Sequence, residues 1–185
     1  MVDQIKNETK EKMEKSIESL HLHFKKIRTG RASVDMLDGI KVNYYGTPTP
    51  LNQVGNVSTP DAKTIVVQPW EKNLISEIEK AILASNLGIT PQNDGNVVRL
   101  SVPAVTEQRR KELAKECKTI AEEIKVAVRN IRQASNDQIK KAEKNKELSE
   151  DLSKDAQTDI QKITDSYIAK IDEVLAVKEK EVLNG

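Results

Sequence analysis

The residues best suited to chemistry are the arginines. The chain has seven, and six of them fall into three close pairs: Arg28 with Arg31, Arg109 with Arg110, and Arg129 with Arg132. A guanidinium makes bidentate, geometrically fixed contacts with phosphate, whereas a lysine acts as a point charge. On a helix, residues three apart share a face, so Arg129 and Arg132 are placed to act together. Other reactive groups are sparse. His21 and His23 lie two apart, on different helix faces, with no second ligand pair, so ordinary surface roles are the simpler reading and no metal site is expected. The single Cys117 excludes an internal disulfide and reads as a small buried apolar residue. There is no Gly-x-x-x-x-Gly-Lys-Ser/Thr loop, no Gly-x-Ser-x-Gly elbow and no nucleophile with a positioned base. The chemistry on offer is anion recognition, so the expectation is a binding or mechanical protein and not an enzyme.

Composition narrows the ligand. Over 185 residues the formal net charge is +1, so any affinity for nucleic acid must be local. Charged residues make up 32% and aromatics 3%, which favours helical bundles. With so few aromatics, base stacking would contribute little, leaving shape and phosphate contacts to dominate. The first residues carry neither an apolar leader core nor an Arg/Ser-rich transit pattern, and no apolar run reaches membrane-spanning length. A soluble, cytoplasmic protein is expected.

Three helices must carry these groups. Thr106 to about Lys146 reads as one helix roughly 60 Å long at 1.5 Å per residue. Its apolar residues Leu113, Cys117, Ile120, Ile124, Ala127 and Ile131 alternate steps of four and three, the mark of a helix packed on helices. Beside that seam, Arg110, Lys111, Lys118, Lys125, Arg129 and Arg132 fall in a basic stripe. Glu112, Glu116, Glu122 and Glu123 fall in an acidic one. A solvated face explains this sorting, and so does a contact for phosphates. Residues 2–27 repeat the helical spacing through Met13, Ile17, Leu20, Phe24 and Ile27, with Gly30 placed to end the helix. A third helix starts at Ser149 and carries Leu152, Ala156, Ile160, Ile163, Tyr167, Ile171 and Val174 on one stripe.

Between the first two helices the pattern changes. Six of the seven glycines and all six prolines lie from Gly30 to Val105. Strands are expected over Ile40–Tyr45, Lys63–Gln68 and Val97–Val102, with a short helix over Leu74–Leu83 and extended chain or a turn at Gly46–Pro50. The fold class is α+β: a long three-helix bundle (1–29 and 106–185) with a small α/β domain (30–105) inserted between helices 1 and 2. The connections near Gly30–Val34 and Pro103–Val105 form a two-strand junction. The first two arginine pairs sit beside it, and the third lies about 30 Å along the long helix. Arg109 can equally pair with a nearby acid such as Glu107.

Four segments carry a resemblance: Arg28-Thr-Gly-Arg-Ala-Ser33, Asp38-Gly-Ile40 with Tyr44-Tyr-Gly-Thr-Pro-Thr-Pro-Leu51, Thr106-Glu-Gln-Arg-Arg-Lys111, and Ala127-Val-Arg-Asn-Ile-Arg132. Over essentially its whole length the chain resembles the bacterial ribosome recycling factor family. The resemblance implies an L-shaped molecule, with the bundle as one arm and a β/α/β domain at the corner. It implies binding to the ribosome after termination, chiefly from the bundle to large-subunit ribosomal RNA. It also implies splitting of the ribosome with elongation factor G and GTP, the factor serving as a lever and the partner hydrolysing the nucleotide. No cofactor of the chain's own, no DNA and no membrane partner is expected, and the chain is expected to be a monomer. The RNA-contact role falls on Arg28, Arg31, Arg110, Arg129 and Arg132, joined by Lys118 and Lys125 of the basic stripe. Gly30, Ala32, Ser33, Pro103, Ala104 and Val105 form the hinge. The small domain would face elongation factor G and the small-subunit side. Many members carry a further basic residue after the second mid-helix arginine, and here that position is Gln133. A helical scaffold for other proteins is the rival reading, and it predicts binding that salt hardly weakens.

Overall fold

The computed structural model describes residues 1–27 and 29–184, so Arg28 lies outside the described residues. The described chain divides into two compact units, Met1–Ile27 with Glu107–Asn184, and residues 29–106.

The first unit is a three-helix bundle of α1 (Val2–Lys25), α3 (Glu107–Lys144) and α4 (Glu150–Asn184), each packed on the other two. Helix α3 runs 38 residues without Gly or Pro, and its buried positions carry a seven-residue repeat: Ala114, Ala121, Val128, Ser135 and Ala142. A strict heptad of small side chains lets neighbouring helices approach closely along the whole length. The expected seam through Ile120, Ile124, Ala127 and Ile131 is corrected: these residues are half-buried at its flank. The buried face, which also holds Leu113, Cys117 and Ile139, is turned toward the basic stripe.

Helix α4 needs a similar correction. Leu152 is 55% exposed, while its neighbour Ser153 is fully buried, so the stripe runs Ser153, Ala156, Ile160, Thr164, Tyr167, Ile171. The two polar members are satisfied locally. The Ser153 hydroxyl accepts from Gln157 Nε2 at 3.2 Å, and the Thr164 hydroxyl donates to the Ile160 carbonyl at 2.8 Å. The Ser149 side chain caps α4 by accepting from the Leu152 amide at 3.2 Å. The α3–α4 turn closes with Glu147 N–H donating to Ala142 and Lys146 N–H to Glu143, both at 2.9 Å, with Lys146 at φ 63°. That bonding is a Schellman stop made without glycine.

Helix α1 ends at Lys25, short of Gly30, and tightens as Ile27 N–H donates to the Phe24 carbonyl at 3.1 Å. Gly30 therefore does not cap it. Its φ of +80° serves the second unit, where an added Cβ would stand 2.7 Å from Val105 Cγ2.

That second unit holds β1 (Lys41–Tyr44), β2 (Thr47–Pro50), β3 (Gly55–Asp61), β4 (Thr64–Pro69), α2 (Ile75–Ala84), β5 (Pro91–Asn93) and β6 (Val98–Ser101). Strands β1 and β2 form a hairpin, and the remaining four form an antiparallel sheet ordered β3-β4-β6-β5. Alternating residues Ile65, Val67, Val98 and Leu100 point to one face and pack with Ile75, Ile78 and Ile82 of α2. Strands β3 and β5 lie outside the strands expected from sequence, and Thr47–Pro50, expected as extended chain or turn, forms β2. Both chain connections of this unit meet one turn. Ala32 N–H donates to the Ala62 carbonyl at 2.7 Å, and Val102 N–H donates to the Lys63 carbonyl at 2.8 Å.

Candidate nucleic-acid interface

The basic stripe of α3 borders α4, and the packing sorts its cations into two kinds. Lys125 keeps only 13% of its side chain exposed, with Nζ 2.6 Å from Asp172 and 3.4 Å from Glu122. The hydrogen bond to Asp172, reinforced by both negative charges, raises its pKa above the usual lysine range. Lys118 stands 3.9 Å from Glu179, and Lys111 stands 3.3 Å from Glu107. These lysines face acids that cancel much of their local field.

The mid-helix arginines differ. Arg129 is exposed and has no hydrogen bond or ion pair among the described residues. Arg132 is half-buried, and its Nη1 donates to Gln161 Oε1 of α4 at 3.4 Å, so its nearest partner is a neutral amide. Gln161 in turn donates through Nε2 to Asp165 Oδ1 at 2.8 Å. A guanidinium that is exposed, or is held by a neutral acceptor, keeps its full charge and most of its donors for an incoming phosphate oxygen. Gln133 turns to its own helix, donating to Asp137 at 3.0 Å.

The remaining expected residues are placed as follows. Arg110 is half-buried at the start of α3, and its buried Nε has no hydrogen-bond partner among the described residues. Arg109 stands 3.2 Å from Glu112, a nearby acid one turn on, as the pairing reading of that residue expects. Arg31 is exposed in the second unit. Of the expected hinge residues, Ala32 is bonded to Ala62, and the Ser33 side chain accepts from the Asp35 amide at 3.3 Å. Pro103 and Ala104 are exposed, and Val105 closes against Gly30. The sequence reading missed Gln161 and Asp165. Their spacing of four on one helix was visible, but the α3–α4 register that sets them opposite Arg132 was not.

Among the described residues no three His, Cys, Asp or Glu side chains converge as a metal set, and no helix is long and apolar enough to cross a membrane. His23 donates through Nδ1 to its own helix at the Ser19 carbonyl, 2.7 Å away. Cys117 is buried, and burial raises its thiol pKa, the opposite of a nucleophile's activation.

The family model "Ribosome recycling factor" matches residues 20–183. The ribosome-recycling factor of Nitratidesulfovibrio vulgaris is 53% identical over 177 residues, covering 96% of this chain and 95% of the relative. That of Bdellovibrio bacteriovorus is 54% identical over 179 residues, covering 97% and 96%. Among solved structures, a solution structure of the ribosome recycling factor superposes with a TM-score of 0.78 at 38% identity, covering 100% of this chain and 98% of the other. Models of the T. thermophilus ribosome recycling factor and the E. coli elongation factor G bound to the E. coli post-termination complex contain a chain matched at TM-score 0.66 and 45% identity, with 99% of each covered. The chain belongs to the ribosome recycling factor family, which are translation factors and not enzymes.

Proposed function

We propose that this chain disassembles post-termination ribosomes into subunits together with elongation factor G and GTP. The GTPase hydrolyses the nucleotide, and this chain, a cytoplasmic monomer with no cofactor of its own, works as a mechanical lever. In this reading the bundle of residues 1–29 and 106–185 grips large-subunit ribosomal RNA, and residues 30–105 form the moving domain. Arg129 and Arg132 supply the principal phosphate contacts. Arg28, Arg31 and Arg110 add contacts near the junction, and Lys118 and Lys125 contribute a weaker field. Gly30, Pro103, Ala104 and Val105 form the pivot, with Ala32 and Ser33 its fixed rim.

One observation carries the reading. On a chain of net charge +1, Arg129 stands exposed without an acid partner among the described residues and Arg132 faces a neutral amide, while the neighbouring lysines are paired. A surface held only for stability would gain by pairing its arginines in the same way. Support for the partner comes from the relative bound with elongation factor G to a post-termination complex.

The test is co-sedimentation with purified large subunits across a salt series, comparing wild type with Arg129→Ala/Arg132→Ala. Affinity should fall steeply with salt. The double variant should bind more weakly, with a log–log salt slope shallower by roughly 1.4–1.8, the loss of two phosphate contacts. Equal binding and equal slope would reduce the stripe to a solvated face.

A further inference from the structure

We propose that Gln161, held by Asp165, is a positioning residue that aims the Arg132 guanidinium at backbone phosphate while leaving its charge uncancelled. The inference rests on the reading above that Arg132 contacts RNA.

Hydrogen bonding fixes the amide. Asp165 Oδ1 can only accept, so the group facing it at 2.8 Å must be the Gln161 NH2. Arg132 can only donate, so the group facing it at 3.4 Å must be Gln161 Oε1. One orientation satisfies both neighbours, and it makes Gln161 a rigid acceptor aimed across the α3–α4 groove. Arg132 spends one of its five N–H groups on that acceptor, and the rest of the planar fork stays available for a bidentate phosphate contact. Fixing a long side chain before binding lowers the ordering cost at the moment of binding.

The chemistry at position 161 also decides how much charge is left. Lys118 and Lys125 meet Glu179 and Asp172 of α4 directly. The same seven-residue step from Glu179 and Asp172 reaches Asp165, which forms no ion pair with Arg132 among the described residues. Gln161, one turn further on, meets Arg132 instead, where a carboxylate would form a direct pair and withdraw it from RNA. An amide keeps the geometry and omits the charge. Asp165, one helical turn away, meets the amide NH2 and orients Gln161.

The experiment is the same salt-series co-sedimentation with large subunits, using wild type, Arg132→Ala, Gln161→Glu, Gln161→Leu and the double variant Arg132→Ala/Gln161→Glu. Gln161→Glu has the same shape and sits on the surface, and thermal melting confirms that each variant is folded. We expect Gln161→Glu to weaken binding by about three- to tenfold and to flatten the salt slope by about one phosphate contact, 0.7–0.9. Gln161→Leu should weaken binding less and keep the slope, because aim is lost but charge is not. In the Arg132→Ala background, Gln161→Glu should add almost nothing. Wild-type binding by Gln161→Glu, with Arg132→Ala impaired, overturns the positioning role. So does a full, additive loss in the double variant, which would mark a general repulsion that does not act through Arg132. Unimpaired Arg132→Ala is a separate result: it removes the RNA role of Arg132 itself, and the inference falls with that reading.

Discussion

The Lys125 ammonium lies 2.6 Å from the Asp172 carboxylate, the closest of the ion pairs that tie the basic stripe of α3 to α4. Four residues on, Arg129 has no such partner among the described residues. The two cations should therefore separate in experiment. Lys125→Met should cost about 0.5–1 kcal/mol of stability and reduce large-subunit binding less than Arg129→Ala does. Arg129→Ala should leave stability within about 0.5 kcal/mol and flatten the salt slope by 0.7–0.9. The pH dependence follows from the raised pKa of Lys125. Its pairing is fully present below the ordinary lysine value of about 10.4 and is lost as pH rises through the higher folded value. The stability gap between wild type and Lys125→Met should thus be flat through neutral pH and close only in strong alkali. A larger slope change for Lys125→Met than for Arg129→Ala would reverse the ranking.

A buried hydroxyl pair joins α1 to α3, with Thr9 Oγ1 and Ser135 Oγ 2.6 Å apart. Thr9 also donates to its own Ile5 carbonyl at 2.7 Å, so its proton is committed and Ser135 must be the donor to Thr9. Removing the two partners should then have unequal effects. Ser135→Ala leaves Thr9 bonded and should cost about 1 kcal/mol, whereas Thr9→Val strands the serine hydroxyl in the core and should cost about 1–3 kcal/mol. The double variant should be less destabilised than the sum, since replacing both partners removes the stranded group. Urea denaturation of the four proteins measures this cycle, and strict additivity would show that the hydroxyls do not interact.

At the junction end of the small unit, Gly30 combines a φ of +80° with a site whose added Cβ would meet Val105 Cγ2 at 2.7 Å. Gly30→Ala should cost about 1–2 kcal/mol from the backbone alone, and more from the contact. Adding Val105→Ala removes Cγ2 and should recover most of the contact part, leaving the backbone part and the Val105 Cβ 3.2 Å away. Hydrogen exchange reads the effect locally. The amides of Ala32 and Val102, bonded to the Ala62 and Lys63 carbonyls, should lose roughly 5- to 30-fold protection in Gly30→Ala. Unchanged protection would mean that the segment before Ala32 is free to relax around the new methyl.

The helices were legible because a spacing of four and three survives in any bundle, whatever its neighbours. Which residue sits deepest was not. Ile120 and Ile131 outweigh Ala121 and Ser135 on any apolarity count, yet the isoleucines are half-buried and the small residues buried, because the register of α3 against its neighbours sets which face turns inward. Strand β3 was hidden for a related reason. In Gly55–Asp61 only Gly55 is buried and Val57 half-buried, so the strand has almost no apolar alternation to read. Its pairing with β4 requires glycine at position 55, where an added Cβ would lie 2.5 Å from the Gln68 carbonyl oxygen. In the candidate site, the arginine pair was legible from spacing alone. The acids opposite Lys118 and Lys125 and the amide opposite Arg132 were not, because they depend on the register of α4 against α3.

At the far end of the bundle, Lys6 of α1 bridges to Asp159 of α4. The hydrogen bond from Lys6, followed by its charge, holds the Asp159 carboxyl below the usual carboxylate range, with a smaller contribution from Lys162. A carboxyl with a depressed folded pKa stabilises the fold above its unfolded value of about 3.9 and loses that contribution as pH falls through the folded value. In Lys6→Gln the Asp159 titration, followed by carboxyl-carbon NMR, should move up to the ordinary range, because the desolvation that raises it outweighs the Lys162 charge that lowers it. The stability difference between wild type and Lys6→Gln should be constant near neutrality and shrink only in acid. Both carboxyls titrating at the same pH would show that the bridge does not form in solution. Large-subunit binding at neutral pH should be the same for both proteins, since the bridge spends Lys6 on the α1–α4 contact and leaves the arginines of α3 untouched.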